Sequence, residues 1–429
     1  MIEQLRNKHA RISVVGLGYV GLPIALEFGR HFYVTGFDID PTRIEALKNN
    51  VDPGGELPAS YFENSTVDFT TDIDALKHCN FHIIAVPTPV DEHKVPDLSS
   101  LQSATQTIAS ILKKGDYVVF ESTVYPGCTE DICLPILESV SGLKVNTDFK
   151  LGYSPERINP GDDVHTLRNV MKIVSGSDKE ALETISDVYV TIVQPGVYQA
   201  SSIKVAEAAK ILENTQRDLN IALMNELSII LDKMGVNTYE VIEAAGTKWN
   251  FHKYKPGLVG GHCIGVDPYY LTYKAMELDY EPYVILSGRK VNDNMAYHVA
   301  KRCVQKLIEA GKNLATSRIL VMGITFKENV NDIRNSKVAD MIKELRSFGL
   351  QVDVVDPKAD SAEVEKHYGF ELQKVNGHQY DAIILAVPHK EYVQLTPEYF
   401  ASIATTDGIF IDIKGIFRDK INTLQYWSL

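Results

Sequence analysis

The chain has 429 residues, too many for one compact core, so two or three domains are expected. Hydrophobic residues make up 45% and charged residues 23%, which excludes a disordered, collagen-like or disulfide-scaffold protein. The 43 basic and 56 acidic residues give a net charge of −13, which argues against a nucleic-acid binder or a protein that coats anionic membranes. An anionic ligand therefore needs backbone dipoles or a few placed cations.

No segment has the pattern of a targeting or membrane signal. Residues 1–10 are polar and charged, and no apolar run approaches the ~18–20 residues that span a bilayer. The five cysteines contain no C-x-x-C pair, so we expect neither a disulfide framework nor a zinc ribbon. We expect a cytoplasmic protein without membrane insertion. The cysteines are Cys79, Cys128, Cys133, Cys263 and Cys303.

The first ordered pattern is a β-branched run at 11–15 that leads into a Gly-x-Gly-x-x-Gly turn. A helical pattern follows the turn, and a second strand at 33–37 ends in Asp38. Such glycines allow a tight turn and close approach to a pyrophosphate, and the acid accepts hydrogen bonds from a ribose. The pattern therefore predicts a dinucleotide site. Its turn residues are Gly16, Gly18, Tyr19, Val20 and Gly21.

The dinucleotide is expected to be NAD. A carboxylate at Asp38 would repel the 2′-phosphate of NADP, although the nearby cation Arg43 could accept one. Two later strands, 81–86 and 116–120, end in loops of small polar residues at the edge where parallel sheets bind ligands. The loop residues expected on the nicotinamide side are Pro87, Thr88 and Thr123, which could otherwise be ordinary turn residues.

The C-terminal part repeats the first part. Its strands match the four N-terminal strands in order, and the second again ends in an aspartate, but the glycine turn is lost. We therefore expect two doubly wound Rossmann-like α/β domains, of which the second binds another nucleotide-like group or only packs. The repeated strands are 318–323, 351–356, 380–388 and 408–412.

Residues 201–234 contain neither Pro nor Gly and carry apolar residues at helical spacing, which predicts one long helix. Such a helix could join the flanking domains and offer a homodimer surface; a further helix is expected at 292–310. The predicted division is an NAD-binding domain at 1–200, a helical dimerisation domain with the cysteine loop at 201–310, and a C-terminal domain at 311–429.

A second glycine-rich segment, 257–268, contains Cys263. Glycines let backbone N–H groups close around a ligand, which suits a thiolate nucleophile that captures an aldehyde as a thiohemiacetal and carries it to a thioester. The alternative is a small buried core cysteine, the state expected for the other four. His262 has no second ligand at metal spacing, so no metal is expected.

Lys210 and Asn214 lie four residues apart in the predicted long helix and share one face. A cation and an amide on a half-buried face could stabilise an oxyanion. Alternatively, Lys210 pairs with Glu207 or Glu213. Two further acids have a functional and a structural interpretation: Glu156 could activate water or be a turn residue, and Asp267 could orient a base or cap a helix.

Together these motifs resemble the UDP-sugar 6-dehydrogenase family over nearly the whole chain. The residues that carry the resemblance are 16–21 with Asp38, 86–89, 122–127, 154–156, Lys210 with Asn214, 260–268 and 326–334. The resemblance implies oxidation of a sugar C6 alcohol to a carboxylate by two hydride transfers to NAD⁺, without release of the aldehyde.

The resemblance also implies residue roles. Cys263 is the nucleophile, Lys210 and Asn214 hold the oxyanion, Asp267 supports water or the lysine, and Glu156 activates water beside Thr123. The residues implied to contact the nucleotide sugar are Glu156, Arg157, Ile158, Lys210, Asn214, Tyr254, Gly257, Leu258, Gly260, Lys327 and Arg334.

The loops at 155–161 and 261–268 resemble the branch that acts on UDP-N-acetylhexosamines, so UDP-N-acetylglucosamine or UDP-N-acetylgalactosamine is the expected substrate, for surface polysaccharide synthesis. UDP-glucose and UDP-N-acetylmannosamine are the alternatives. A cross-subunit arginine of the UDP-glucose enzymes has no obvious counterpart near 246–249. A single-step two-electron dehydrogenase and a non-catalytic NAD sensor are the rival classes.

Overall fold

The computed structural model describes residues 1–91, 93–158, 164–261, 264–375, 377 and 379–429. Cys263 and His262 therefore lie outside the described residues. The chain forms two compact units. The first unit comprises Met1–Glu213 with Tyr269–Glu281, and the second comprises Asn214–Pro268 with Pro282–Leu429.

The strands, in chain order, are β1 (Ile12–Val15), β2 (Val34–Phe37), β3 (Val67–Thr70), β4 (Phe81–Ile84), β5 (Tyr117–Phe120), β6 (Lys150–Tyr153), β7 (Lys172–Gly176), β8 (Val197–Gln199), β9 (Arg318–Met322), β10 (Gln351–Val355), β11 (Tyr380–Leu385), β12 (Ala404–Asp412) and β13 (Gln425–Ser428). The α-helices are α1 (Ile2–Arg6), α2 (Gly21–Phe28), α3 (Pro41–Lys48), α4 (Ser99–Ile111), α5 (Leu134–Ser141), α6 (Lys179–Val190), α7 (Ile203–Met234), α8 (Thr238–Ala245), α9 (Asp267–Glu277), α10 (Tyr283–Glu309), α11 (Lys337–Ser347), α12 (Ser361–Tyr368), α13 (Lys390–Val393) and α14 (Pro397–Ile403).

The first unit is built on one sheet with the order β3-β2-β1-β4-β5-β6-β7-β8. Its pairs are parallel except β6 with β7, which run antiparallel. The carboxyl ends of β1, β4, β5 and β6 therefore meet at one edge. The order reverses direction at β1, which is where a doubly wound sheet opens a crevice for a dinucleotide.

The second unit carries a parallel sheet with the order β10-β9-β11-β12-β13. Along β9, Ile319 and Val321 join one buried cluster while Leu320 and Met322 join another. Because successive side chains point to opposite faces, both faces of this sheet are covered at β9. The four predicted strand repeats correspond to β9, β10, β11 and β12, and the predicted fold class is confirmed.

The long helix α7 has 32 residues and begins two residues after the predicted start. The predicted helix at 292–310 is wrong at its start, since α10 begins at Tyr283. Gly288 lies inside α10, and a Cβ there would overlap the Leu219 side chain of α7. The glycine therefore allows close helix packing, although it weakens the sequence signal for a helix. The short helix α1 was not predicted.

Four cysteines are buried and free, as predicted for Cys79, Cys128, Cys133 and Cys303. Among the described residues, no helix has both the length and the apolar content needed to cross a bilayer.

Candidate functional site

The glycine turn after β1 has three glycines with different reasons to be glycine. Gly16 has φ +88°, a left-handed conformation that favours glycine. A Cβ on Gly21 would overlap the Gly16 carbonyl oxygen, whereas a Cβ on Gly18 would meet nothing within 4 Å. Packing therefore explains Gly21, and Gly18 leaves open space where a pyrophosphate can approach the backbone. Since α2 begins at Gly21, the turn fits a dinucleotide.

Asp38 closes this turn from the end of β2. Its Oδ2 accepts from the Leu17 amide at 2.9 Å and its Oδ1 from the Asp40 amide at 3.0 Å. The Arg43 Nε lies 3.9 Å from Asp38 Oδ2. A carboxylate oxygen accepts more than one hydrogen bond, so Asp38 keeps capacity for ribose hydroxyls. The structure thus brings Asp38 and Arg43, two of the predicted cofactor residues, together.

The loops after β4 and β5 are hydrogen-bonded to each other. The Thr88 hydroxyl donates to the Thr123 carbonyl at 2.7 Å, and the Ser122 hydroxyl donates to the Val86 carbonyl at 2.7 Å. The Tyr270 hydroxyl donates to the Thr88 carbonyl at 2.5 Å. The predicted nicotinamide-side residues Thr88 and Thr123 therefore lie side by side; Pro87 is exposed next to them.

Glu207 of α7 fixes the end of the β5 loop. Its side chain is fully buried and accepts from the Gly127 amide at 2.6 Å and the Thr129 amide at 2.9 Å. Burial raises the pKa of Glu207 to about 7. Sequence reasoning missed this role, because the partners lie far away along the chain.

Lys210 lies one turn after Glu207, and its side chain is buried, with 7% of the residue exposed. The alternative pairing of Lys210 with Glu207 or Glu213 is wrong. Glu207 accepts backbone amides, and Glu213 pairs with Arg157 at 2.6 Å. Among the described residues, no hydrogen bond or ion pair is formed by the Lys210 ammonium.

Asn214 lies one turn beyond Lys210 and is 6% exposed. Its Nδ2 donates to Asp267 Oδ2 at 2.5 Å, and α9 begins at Asp267, which is 2% exposed. Asp267 thus lies at the start of a helix, and its carboxylate contacts Asn214, one of the two predicted oxyanion residues; its predicted role toward a base or the lysine stays a prediction. The predicted nucleophile Cys263, four residues earlier, lies outside the described residues.

Glu156 follows β6 and is 5% exposed. Its Oε1 accepts from the Arg157 amide and the Ile158 amide, both at 2.6 Å. Arg157 in turn binds Glu213, and Ile158 packs against the apolar core of the first unit. Glu156 is therefore a fixed, buried carboxylate rather than an exposed turn residue.

In the second unit, Asn225 of α7 holds the start of the glycine-rich segment. Its Nδ2 donates to the Gly257 carbonyl at 3.0 Å and to Asn292 Oδ1 at 2.8 Å, while its Oδ1 accepts from the Gly257 amide at 2.8 Å. A Cβ on Gly260 would lie 2.5 Å from the Asn335 carbonyl oxygen. This segment therefore packs directly on the loop that follows β9.

A cavity of about 340 Å³ lies within the second unit, where these two segments meet. The lining includes three of the predicted substrate residues, Leu258, Gly260 and Lys327, together with the unpredicted cations Lys337 and Lys414. Gly257 adjoins it, since a Cβ there would lie 3.0 Å from Lys414 Nζ. Cations suit a diphosphate. Here Lys337 also pairs with Asp293 and Asp340, and Lys414 pairs with Glu328 of the same cavity.

Two other predicted substrate residues do not line this cavity. Tyr254 is half-buried, and its amide donates to the His252 carbonyl at 3.0 Å. The Arg334 side chain is 53% exposed, and it binds Asp332 through two nitrogens at 3.0 and 2.8 Å. Their contact with substrate stays a prediction.

Lys414 could not be found from the sequence, since it lies after β12 in no recognisable motif. Asn225 gave only a weak signal, a polar residue on the apolar face of a predicted helix.

The UDP-glucose/GDP-mannose dehydrogenase family matches the chain in three consecutive parts. Its NAD binding domain matches residues 10–193, its central domain 204–294 and its UDP binding domain 320–419. NAD is therefore confirmed as the cofactor.

Individual proteins are similar over almost their whole length. Protein CapL of Staphylococcus aureus is 51% identical over 421 residues, which cover 97% of this chain and 99% of CapL. A Salmonella typhi protein named UDP-N-acetyl-D-glucosamine 6-dehydrogenase is 49% identical over 408 residues, or 95% and 96% of the two chains. The solved structure of a UDP-D-ManNAc dehydrogenase from Pyrococcus horikoshii matches with a TM-score of 0.89 at 30% identity, covering 97% and 98%.

Three successive family domains and near-complete coverage at about half identity bear out the resemblance inferred from the motifs. The chain belongs to the UDP-glucose/GDP-mannose dehydrogenase family and is an NAD-dependent UDP-sugar dehydrogenase.

Proposed function

We propose that this enzyme oxidises the C6 hydroxyl of UDP-N-acetylglucosamine or UDP-N-acetylgalactosamine to the carboxylate, with Cys263 as the covalent nucleophile. The observation that carries the proposal is Lys210, a residue 7% exposed whose ammonium has no hydrogen bond or ion pair among the described residues, one helical turn from Asn214. A cation without a protein partner on a largely buried residue suits an oxyanion of the ligand.

In chemical terms, the alcohol becomes an aldehyde, the Cys263 thiol adds to it, the resulting thiohemiacetal becomes a thioester, and water releases the carboxylate and the thiol. The residues of the glycine turn and Asp38 would hold NAD⁺, which would supply the oxidising power, one molecule for each of the two oxidations, with NADH exchanged for fresh NAD⁺ between them. Lys210 and Asn214 hold the C6 oxygen as its charge develops, and Asp267 orients the Asn214 amide. Glu156, beside Thr123, accepts a proton from the hydrolytic water.

The choice of sugar has separate support. The loops at 155–161 and 261–268 resemble the N-acetylhexosamine branch, and the Salmonella typhi relative at 49% identity is named for UDP-N-acetyl-D-glucosamine. As the resemblance implies, we propose that the product serves surface polysaccharide synthesis. For the nucleotide we propose that Lys327 and Arg334 bind it in the second unit, with the segment from Tyr254 to Gly260.

We also propose a homodimer that uses α7. Several large apolar side chains of this helix are exposed in the single chain, which favours a partner surface. They include Leu212, Leu223 and Met234, which are 65%, 51% and 66% exposed. We also propose that the chain is organised in three domains, at 1–200, 201–310 and 311–429.

The test is NADH formation from UDP-N-acetylglucosamine, UDP-N-acetylgalactosamine, UDP-N-acetylmannosamine and UDP-glucose, with the wild type, Cys263→Ala and Cys303→Ala. Cys303 is a matched control because burial raises the pKa of its thiol to about 12, which makes it inert. We expect about two NADH per sugar with the wild type and Cys303→Ala, and no turnover with Cys263→Ala.

Three results would contradict the proposal. One NADH per sugar, or retained turnover in Cys263→Ala, would favour a single-step two-electron dehydrogenase. A higher kcat/KM for UDP-glucose or UDP-N-acetylmannosamine would overturn the choice of sugar.

A further inference from the structure

A cluster of four buried ionisable side chains lies in the first unit, around the carboxyl ends of β5 and β6. Glu121 directly follows β5, Glu156 follows β6, Lys172 is the first residue of β7, and Tyr189 lies in α6. They are respectively 1%, 5%, 2% and 0% exposed. Apart from Glu156, none of them was selected from the sequence.

Lys172 is the centre of the cluster. Its Nζ donates to Glu121 Oε2 at 2.6 Å and to the Pro155 carbonyl at 3.0 Å, and it lies 3.6 Å from Glu156 Oε2. The Tyr189 hydroxyl donates to Glu121 Oε1 at 2.6 Å. Glu121 thus has a donor on each oxygen, and one ammonium serves two carboxylates.

The charges of this cluster are not balanced. Two buried carboxylates around one cation leave an excess negative charge, which is costly away from water. Burial raises the pKa of Glu121 to about 7, Lys172 opposes the rise, and Glu156 adds to it. The two glutamates therefore compete for the same cation.

The two carboxylate oxygens of Glu156 have different surroundings. Oε1 is fixed by two backbone amides, whereas Oε2 has no hydrogen-bond partner among the described residues. A partly open pocket of about 170 Å³ adjoins it and is lined by Glu156, Lys172, the Arg157 side chain that pairs with Glu213, and the apolar side chains of Ile158, Leu167 and Val170. An oriented carboxylate oxygen beside such a pocket has room for a water molecule.

We propose that Lys172, held by Glu121, is a positioning residue that keeps the Glu156 carboxylate aimed at the hydrolytic water. The inference rests on the proposed function, since it concerns the step in which water releases the thioester. An ammonium 3.6 Å from Glu156 Oε2 attracts that oxygen and fixes its position, and a fixed carboxylate oxygen can accept the proton that water loses. Glu121 limits this effect because it draws the ammonium toward itself.

The mechanism makes opposite predictions for removing Lys172 and for removing the charge of Glu121. Lys172→Met removes the cation, so the acid-side midpoint of the hydrolysis rate moves to higher pH. Glu121→Gln removes the competing carboxylate, so that Lys172 interacts with the Glu156 carboxylate alone. The acid-side midpoint of the hydrolysis rate then moves to lower pH. A merely structural role would not produce shifts of opposite sign.

The experiment combines rapid mixing of enzyme, NAD⁺ and UDP-N-acetylglucosamine with mass spectrometry of the Cys263 peptide and a steady-state pH profile. For Lys172→Met we expect a burst of about two NADH per subunit, a steady-state rate reduced at least about tenfold, and a thioester on Cys263 that accumulates. Lys172→Arg should restore part of the rate.

Lys150→Met is the matched control. Lys150 lies in β6 and pairs with Asp178 at 2.6 Å and Glu180 at 2.7 Å, away from the cluster. It should leave the burst, the steady-state rate and the pH profile unchanged. If Lys172→Met fails to fold by circular dichroism, Glu121→Gln and Lys172→Arg carry the test through their pH profiles.

Two kinds of failure are distinguishable. If the burst and the steady-state rate of Lys172→Met fall in the same proportion without a thioester, or if Glu121→Gln moves the midpoint to higher pH, the inference is overturned and the proposed function stands. If the wild type never forms a Cys263 adduct and Cys263→Ala turns over normally, the proposed function is overturned, and the inference with it.

Discussion

The two sheets share one local arrangement, called the frame here. A strand followed by a glycine lies beside a second strand followed by an aspartate. Gly16 has φ +88° and Gly323 has φ +96°. In both units the amide after the glycine donates to the aspartate, at 2.9 Å to Asp38 and at 2.6 Å to Asp356. The two units differ in the segment that comes after the frame.

In the first unit, α2 begins at Gly21, so the turn leads at once into a helix N-terminus. In the second unit, the loop 324–336 intervenes before α11 begins at Lys337. The Asp38 side chain is 14% exposed, whereas Asp356 is fully buried with His389 Nε2 at 3.1 Å from its Oδ2. The second aspartate is therefore closed to a ribose.

Since both units share the strand and acid frame, we expect the connection after the glycine to decide which nucleotide is bound. A helix N-terminus offers backbone amides to a pyrophosphate, while a long loop offers side chains such as Lys327. Substitutions in the two frames test this contrast.

Gly21→Ala should have the largest effect. Its Cβ would overlap the Gly16 carbonyl oxygen, so the turn must distort, and we expect the free energy of unfolding to fall by about 3 kcal/mol. Urea unfolding followed by circular dichroism measures this. An unchanged midpoint would show that the turn does not depend on close packing of the two glycines.

Asp356→Asn should lower the free energy of unfolding by about 2 kcal/mol at neutral pH, because a buried hydrogen-bond acceptor loses its charge. Burial tends to raise the pKa of Asp356, but the hydrogen bond and charge of His389 and the backbone amides hold that pKa below its usual range. The stabilisation is therefore present above about pH 4 and is lost as the pH falls through the lowered pKa.

The difference between Asp356→Asn and the wild type should thus shrink on acidification in urea unfolding measured from pH 7 downward. The KM for NAD⁺ should not change. A raised KM would mean that the second frame contributes to the NAD site, contrary to the comparison.

Asp38→Asn should raise the KM for NAD⁺ about tenfold, which corresponds to about 1.4 kcal/mol, since charged acceptors of ribose hydroxyls are replaced by a neutral amide. The ratio of kcat/KM for NADP⁺ to that for NAD⁺ should rise because the repulsion of the 2′-phosphate is removed. Asp356→Asn is the matched control. Equal KM values for NAD⁺ in both variants would remove the distinction between the two aspartates.

Gly18→Ala should have the smallest effect. A Cβ at Gly18 meets nothing within 4 Å, so the free energy of unfolding should stay within about 0.5 kcal/mol of the wild type. The added methyl group would occupy the space of the pyrophosphate, and we expect the KM for NAD⁺ to rise several-fold. An unchanged KM would place the pyrophosphate elsewhere.

Much of the fold followed from local patterns. The strands at 81–84 and 318–322 and the helix α7 coincide with their apolar periodicity, because period and burial are properties of short segments. The start of α10 did not follow, since Gly288 is placed by its contact with Leu219, a residue distant along the chain. The short strands β3, β7, β8 and β13 also had no distinct signal.

The candidate site, too, was predicted where it depends on local spacing and missed where it depends on distant contacts. The spacing of Gly16, Gly18 and Gly21 before Asp38 predicted the NAD site, because that geometry is built within one βαβ unit. The alternative pairing of Lys210 with Glu207 was wrong, since the Glu207 carboxylate reaches a loop that another strand positions.

The sequence by itself determined the repeated strand frame, the family and the cofactor, because each rests on residue spacing within short segments. Only the tertiary structure decided that Asp356 is closed by His389 and that Lys172 stands against both Glu121 and Glu156. The physical reason is that burial and charge pairing depend on which strand ends adjoin, and the sheet order, not proximity along the chain, sets that arrangement.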